Sequence, residues 1–548
     1  MNRPGILVLA FLAVSSAACA GLQQKVDSAV DQLLNVQPSS TSSEENAVDP
    51  DTLVLQAADA INSRDYAAAI TALETLKAHP EHDYYWATFA EAYLDNRLGR
   101  YDEALSLVNS LSPGPFHTDL LKLRAEIYFN THRLDQAAGD LETIALGGMG
   151  PDSLVLYMLW SVDMEEGKVD RIREIEAQLE GRGSLDENDM FALCERAILR
   201  RDFVTANQAL DRLPNLPSTI DNPLSSFYDP SVLMSRARIF FEQGETERAL
   251  EILSGIRDEY PRVTSGYPVA AEYALTLGRF DDARNEAIEG IVQSGGRDYL
   301  TQLGISVLQM PTNADSPQGP LRRCEVADLL VVVGRTALAT GGVDEAIRCA
   351  EKALELNPYQ VGACILKSIA LETQNDVAGA IGAVALGMRL APCNDEAAVR
   401  YVTLAKRAPH AVGPADPDWE RVLEELLERT RGVHELYPDD PGGAYVLARA
   451  LSLAGDESSN ELLHRAHEAS PFRWDIALDY AASDAERGDV ERARRILQNF
   501  RIPIDLAALV ELENRVGETG SEGLAEFLSW LRSEMDPEGR FSPVLDTR

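Results

Sequence analysis

Nucleophiles, metal ligands and paired carboxylates are the residues that could do chemistry in this chain. Cysteine is scarce, with six among 548 residues. Beyond Cys19 they are Cys194, Cys324, Cys349, Cys364 and Cys393. No CxxC pair occurs, and gaps of 25, 15 and 29 residues between the last four fit no zinc framework. Five thiols cannot all pair within one chain. An oxidising compartment leaves Cys324 with Cys364, or Cys349 with Cys393, as bridges, against a reading as buried free thiols. His464 and His467 sit three apart beside Glu461 and Glu468, and His79 and His82 flank Pro80, but no third metal ligand completes a motif. No GxSxG, HExxH, phosphate-loop or dinucleotide fingerprint is present. With 88 acidic residues, spacing alone singles out no acid/base pair. The expectation is a chain with no catalytic residue, metal, cofactor or small-molecule substrate.

The bulk composition narrows the partners. A net charge of −38 excludes a nucleic-acid partner, because phosphates are met by clustered Lys and Arg. Hydrophobic residues at 45% and aromatics at only 7% favour helices packed through small side chains over a sheet of branched and aromatic ones.

The amino terminus places Arg3 before an apolar run from Ile6 to Val14, then small residues up to Cys19. This is the pattern of an export signal, too short to span a membrane. Ser16-Ala17-Ala18-Cys19 resembles the lipobox of bacterial lipoproteins, with Ser16 where leucine is usual. The resemblance implies cleavage before Cys19 and lipid on its sulfur, whose several acyl chains anchor durably. Ala20, in place of an aspartate, implies sorting to the outer membrane, on its periplasmic face, in a two-membrane cell. The other reading is a plain secretory peptide with Cys19 incidental. A short helix over 22–36 and a polar linker over 38–51 are expected next.

The elements that follow repeat. Pro358 and Pro392 are 34 residues apart, as are Ala346 and Ala380, and Gly244 and Ala249 precede Pro261 as Gly341 and Ala346 precede Pro358. Trp86, Phe89, Ala90 and Tyr93 are followed by Gly99, Tyr101 and Ala104, and Leu121, Ala125, Tyr128 and Ala137 repeat the scheme. This resembles the tetratricopeptide repeat, in which one helix of a pair offers a small residue where the second crosses it. A lone pair cannot bury its apolar face, so stacking is obligatory. The resemblance implies an all-α, tetratricopeptide-type solenoid of helical hairpins, a right-handed superhelix of about 11–13 repeats, some degenerate. Units are expected to begin near Pro50, Tyr84, Thr118, Asp152, Glu187, Pro230, Thr264, Ala327, Val361, Pro441 and Trp474, with a last helical pair after Asp505.

The expected organisation is a leader at 1–18, an anchored helix and linker at 19–49, and an amino-terminal array at 50–220. A central pair follows at 230–300, an irregular unit with a loop at 301–326 and a pair at 327–394. An irregular unit with a Pro/Gly loop at 395–440, an array with a capping helix at 441–536 and a frayed tail at 537–548 complete it.

In the repeat family the position after the small residue of the first helix looks into the groove. Here Arg238, Arg335 and Arg449 follow Ala237, Gly334 and Ala448. They would pair with carboxylates of a bound protein or peptide segment, or with nearby Glu and Asp of this chain. The implied function is a membrane-anchored scaffold or adaptor for protein partners in the cell envelope. Assembly, pilus, secretion or polysaccharide-export roles enter by analogy of fold and address. The competing class is a helical protein that binds or modifies carbohydrate or peptidoglycan. It calls for exposed aromatics lining a groove, whereas Trp86, Trp160, Trp419, Trp474 and Trp530 are scattered.

Overall fold

A helix that must reverse within a few residues needs a backbone position that an ordinary side chain resists. Arg64, Gly99, His132, Gly167, Arg201, Gly244, Gly278, Gly341, Asn375, Gly455, Gly488 and Gly520 all have positive φ, between 55° and 89°. The next amide then reaches back five residues to close the helix, as from Arg100 to the carbonyl of Asp95 and from Arg279 to that of Ala274, both at 2.8 Å. Glycine adopts this conformation freely; Arg64, His132, Arg201 and Asn375 adopt it at a cost.

These reversals divide a computed structural model into hairpins. It describes residues 50–78, 84–112, 117–146, 153–181, 187–213, 230–260, 263–306, 320–498 and 500–541. The expected leader, Cys19, linker, His79 and His82 lie outside them. The first four pairs are α1 (Pro50–Asn62) with α2 (Tyr66–Ala78), α3 (Tyr84–Arg97) with α4 (Tyr101–Ser110), α5 (His117–Asn130) with α6 (Leu134–Leu146), and α7 (Ser153–Glu166) with α8 (Val169–Glu180). Next come α9 (Glu187–Leu199) with α10 (Phe203–Arg212), α11 (Pro230–Glu242) with α12 (Thr246–Glu259), and α13 (Gly266–Thr276) with α14 (Phe280–Gln293). A single-turn helix, α15 (Arg297–Gln302), precedes α16 (Arg323–Ala339) with α17 (Val343–Leu356), and α18 (Val361–Thr373) with α19 (Val377–Leu390). The last pairs are α20 (Asp395–Arg407) with α21 (Trp419–Leu436), α22 (Pro441–Ala454) with α23 (Ser459–Ala469), α24 (Trp474–Glu486) with α25 (Val490–Leu497), and α26 (Leu506–Thr519) with α27 (Glu522–Met535). Thirteen pairs and no strand occur among the described residues. The all-α hairpin solenoid is what the repeat spacing predicts.

The small residues do the work assigned to them. Ala104, Ala125, Ala237, Ala249, Ala346, Ala380 and Ala493 are all fully buried where two helices cross. Leucines such as Leu76, Leu98 and Leu141 fill the space between, each contributing about 1.5–3 kcal/mol by burial. First helices of successive pairs touch one another, as α1 with α3, α7 with α9 and α13 with α16, so they line the inner side of the coil.

Three departures from the repeat spacing have physical reasons. The eighth pair begins at Arg323, four residues before Ala327, because Val326 and Ala327 are already helical core. The segment 395–440 keeps both helices of a hairpin and departs from the repeat in the connection between them. The Pro/Gly loop over 408–418 is inserted between its helices and pinned by the Tyr401 hydroxyl donating to the Pro417 carbonyl. The start of the tail is folded back and not frayed: Phe541 is 3% exposed, and the Asp536 carboxylate accepts from the amides of Arg540 and Phe541, both at 2.7 Å.

The coil is tight enough to rest on itself. Hairpin reversals of the first turn touch the second, mostly at the start of the unit six pairs further on. Arg64 donates to Ser265 at 3.3 Å, and a Cβ on Gly99 would lie 2.6 Å from the amide nitrogen of Cys324. Arg133 donates to the Tyr359 hydroxyl at 3.0 Å. Gly167 lies against Arg429, Gly244 against Phe472, Gly278 against Pro503 and Gly341 against Phe541. Thirteen pairs at six per turn give slightly more than two superhelical turns, joined by a seam.

Candidate functional site

Side chains one position past the small residue of each inner helix point along the inner wall, where neighbouring units lend them charges of opposite sign. Arg97 pairs with Glu126 of the next inner helix at 3.2 Å, and Tyr445 donates to Asp479 across one 34-residue repeat at 2.8 Å. The wall is a ladder of ions that satisfy one another.

Arg238 on α11 is 1% exposed and its guanidinium is closed against Glu195 of α9. Burial pushes the Glu195 carboxyl up, and Arg238 opposes that shift. A group so enclosed has no face for a partner. Arg335 on α16 differs: its side chain is 41% exposed and it meets Glu272 of α13 at 3.4 Å. Arg449 on α22, 30% exposed, lies 3.3 Å from Glu511 of α26 and 3.7 Å from Asp479 of α24. Glu396 acts electrostatically on both Arg335 and Arg449, and Asp475 and Asp505 reach Arg335 as well. Arg335 and Arg449 therefore both feel Glu396 and keep part of their surface open, whereas Arg238 is sealed.

Sequence reasoning missed a neighbouring knot of charge. Glu372 on α18 accepts from Arg400 and Arg407 of α20 and, at 2.8 Å, from Asn514 of α26. Burial would raise its carboxyl, but the two guanidiniums hold it below the ordinary range. This contact tucks the last inner helix inside the second turn, against α16 and α18. The sequence carries no marker for it, since its partners lie in three different units.

The remaining candidates for chemistry are quiet. All five described cysteines are free. Burial pushes the thiols of Cys324 and Cys349 up to about 12 and those of Cys364 and Cys393 up to about 11, which leaves them little thiolate. His464 stacks on Tyr480 and His467 lies tilted against the same ring, and no group of His, Cys, Asp and Glu suited to a metal occurs among the described residues. None of the described helices is long and apolar enough to cross a membrane.

Comparison with known proteins places the repeats. Residues 54–117 and 334–392 match one description of the tetratricopeptide repeat, and residues 231–262 match a second. No match is found among curated proteins. Among solved structures, the crystal structure of the APC/C hetero-tetramer Cut9–Hcn1 is similar over 88% of this chain and 96% of that one, at 14% identity and a TM-score of 0.28. With inner and outer helices, a left-handed reversal and a small crossing residue in each matched segment, the chain carries tetratricopeptide repeats.

Proposed function

We propose that the chain is a non-catalytic scaffold that holds protein or peptide segments along its inner wall and is tethered to the bacterial cell envelope through lipid on Cys19. The observation that carries the binding half is the pair of wall arginines on separate units, exposed Arg335 and half-buried Arg449, each with only long ion pairs to its neighbours. Guanidiniums there present forked donors to carboxylates or backbone carbonyls of an extended segment, in exchange for their present bonds to Glu272 and Glu511. The tether rests on the leader and the Ser16–Cys19 motif, with the outer membrane, periplasmic side, as the address.

Crosslinking in the native cell followed by mass spectrometry tests the scaffold. The expected result is one or more envelope proteins captured by the wild type and lost from the R335A/R449A variant. Capture of polysaccharide or peptidoglycan with no protein defeats the reading. For the tether, Cys19→Ala is expected to abolish fatty-acid labelling and move the chain out of the membrane fraction.

A further inference from the structure

In a repeat array each new inner helix packs on both helices of the pair before it, as α18 does on α16 and α17. At the carboxyl end α27 takes that place, lying on α24 and α25. Its companion α26 is left inside the coil, where it touches α16 and α18. Asn514 donates to Glu372 of α18 at 2.8 Å, and Arg449 of α22 donates to Glu511 at 3.3 Å. Arg515 donates to Glu486 of α24 at 3.0 Å, and Glu518 feels the charges of Arg407 and Lys406 of α20. One helix of 14 residues thus reaches the inner helices of five consecutive units, from the eighth to the twelfth. A repeat helix senses its immediate neighbours, whereas a helix bound along a groove senses many units.

These contacts follow from spacing. Glu511, Asn514, Arg515 and Glu518 stand at i, i+3, i+4 and i+7, a single stripe along α26, and this stripe meets the wall. Leu506, Leu509, Val510 and Leu512 are buried in one cluster with Trp474 of α24 and with Phe527 and Leu531 of α27. The helix is therefore amphipathic, with a polar edge toward α18, α20 and α22 and an apolar face toward the terminal units. Glu511 already occupies Arg449, and Asp505, just before the helix, acts electrostatically on Arg335. Arg449 is 30% exposed and Glu511 45%, so water reaches the bond between them.

We propose that α26 is a resident occupant of the second-turn channel, standing where a partner helix lies, and that this partner is an amphipathic helix with carboxylates at i and i+7 and an amide at i+3. Such a helix takes the place of Glu511 on Arg449, of Asn514 on Glu372 and of Glu518 beside Arg407. It brings its own apolar face in exchange for that of α26. The resident is covalently attached and competes at high local concentration, so only a segment that reproduces the stripe displaces it. The channel is thereby closed to unmatched segments. That a partner comes to this wall rests on the scaffold reading; the residency of α26 does not.

A fluorescein-labelled peptide of residues 504–520, added to the full chain and followed by anisotropy, tests the proposal. E511Q/N514A/E518Q in the full chain loosens the resident and keeps its apolar face. The wild-type peptide is expected to bind that variant about tenfold more tightly than it binds the wild-type chain. A peptide carrying the same three substitutions is expected to show no such gain. On the unaltered chain, excess wild-type peptide is expected to speed amide exchange over 509–519 and to leave 361–373 no faster, a readout that needs no variant to fold. Equal affinity of the peptide for both chains, equal binding of the substituted peptide, or exchange over 509–519 that the peptide does not change overturns the proposal. Capture of envelope proteins is read separately. Capture without peptide exchange removes the resident and leaves the scaffold, and peptide exchange without capture does the reverse.

Discussion

The hydroxyl of Tyr359 donates to Asp102 across 257 residues of sequence, and Arg133 donates to the same hydroxyl from the neighbouring reversal. One side chain thus ties two first-turn hairpins to one second-turn loop. Tyr359→Phe removes both bonds and leaves the ring in place. Because Asp102 is exposed, the loss is expected to be about 1 kcal/mol, seen as faster amide exchange across 98–103 and 357–360 with helicity unchanged.

Arg238 and Arg335 occupy the same repeat position at different depths. Arg238→Ala strands the buried Glu195 and is expected to cost about 3–5 kcal/mol in urea unfolding. Arg335→Ala, at an exposed pair, is expected to cost under about 1 kcal/mol. A partner captured through the wall responds in the opposite order among folded variants, with Arg335→Ala losing it.

Two glycines of like conformation separate backbone strain from seam contact. Gly99 and Gly488 have φ of 74° and 89°, but a Cβ on Gly99 would strike Cys324 while one on Gly488 would meet nothing within 4 Å. Gly488→Ala is expected to cost about 1–2 kcal/mol, the left-handed penalty alone. Gly99→Ala carries the same strain and also pushes the first turn off the second, so limited proteolysis is expected to nick residues 50–146 sooner in that variant only.

Two carboxyls give the fold a pH dependence of unusual sign. Burial raises Asp163 to about 6 despite Arg171, and Asp328 to about 7, from an ordinary value of 3.8. Between the ordinary and raised values the folded chain binds more protons than the unfolded one, so stability falls as pH rises. The contribution is complete below about 4 and gone above about 7. The urea midpoint is expected to decline from about pH 5 to about pH 7 and then level off, and the decline to shrink in Asp328→Asn.

Much of the fold was legible because repetition writes the same constraint many times. Gly244, Gly278 and Gly341 mark reversals, and Ala249, Ala283 and Ala346 mark crossings, where a small residue fits without strain. Reversals at Arg64, His132, Arg201 and Asn375 carry no such mark, since the closing hydrogen bonds and packing override the side chain's preference. The wall arginines were placed correctly on their helices but not in depth: the sealing of Arg238 depends on Glu195, one unit earlier. The seam was invisible, because contacts such as Gly99 with Cys324 or Gly341 with Phe541 depend on how tightly the coil winds.

That winding also constrains descent. Ordinary repeat arrays gain or lose whole modules by duplication and deletion, since each module senses only the ones beside it. Here the spacing from Gly99 to Cys324, from Arg133 to Tyr359 and from Gly244 to Phe472 is the same count of modules. A module added or removed between them would put every contact that spans it out of step at once. Copy number in this molecule is frozen by geometry, and lineages are expected to vary loop lengths instead.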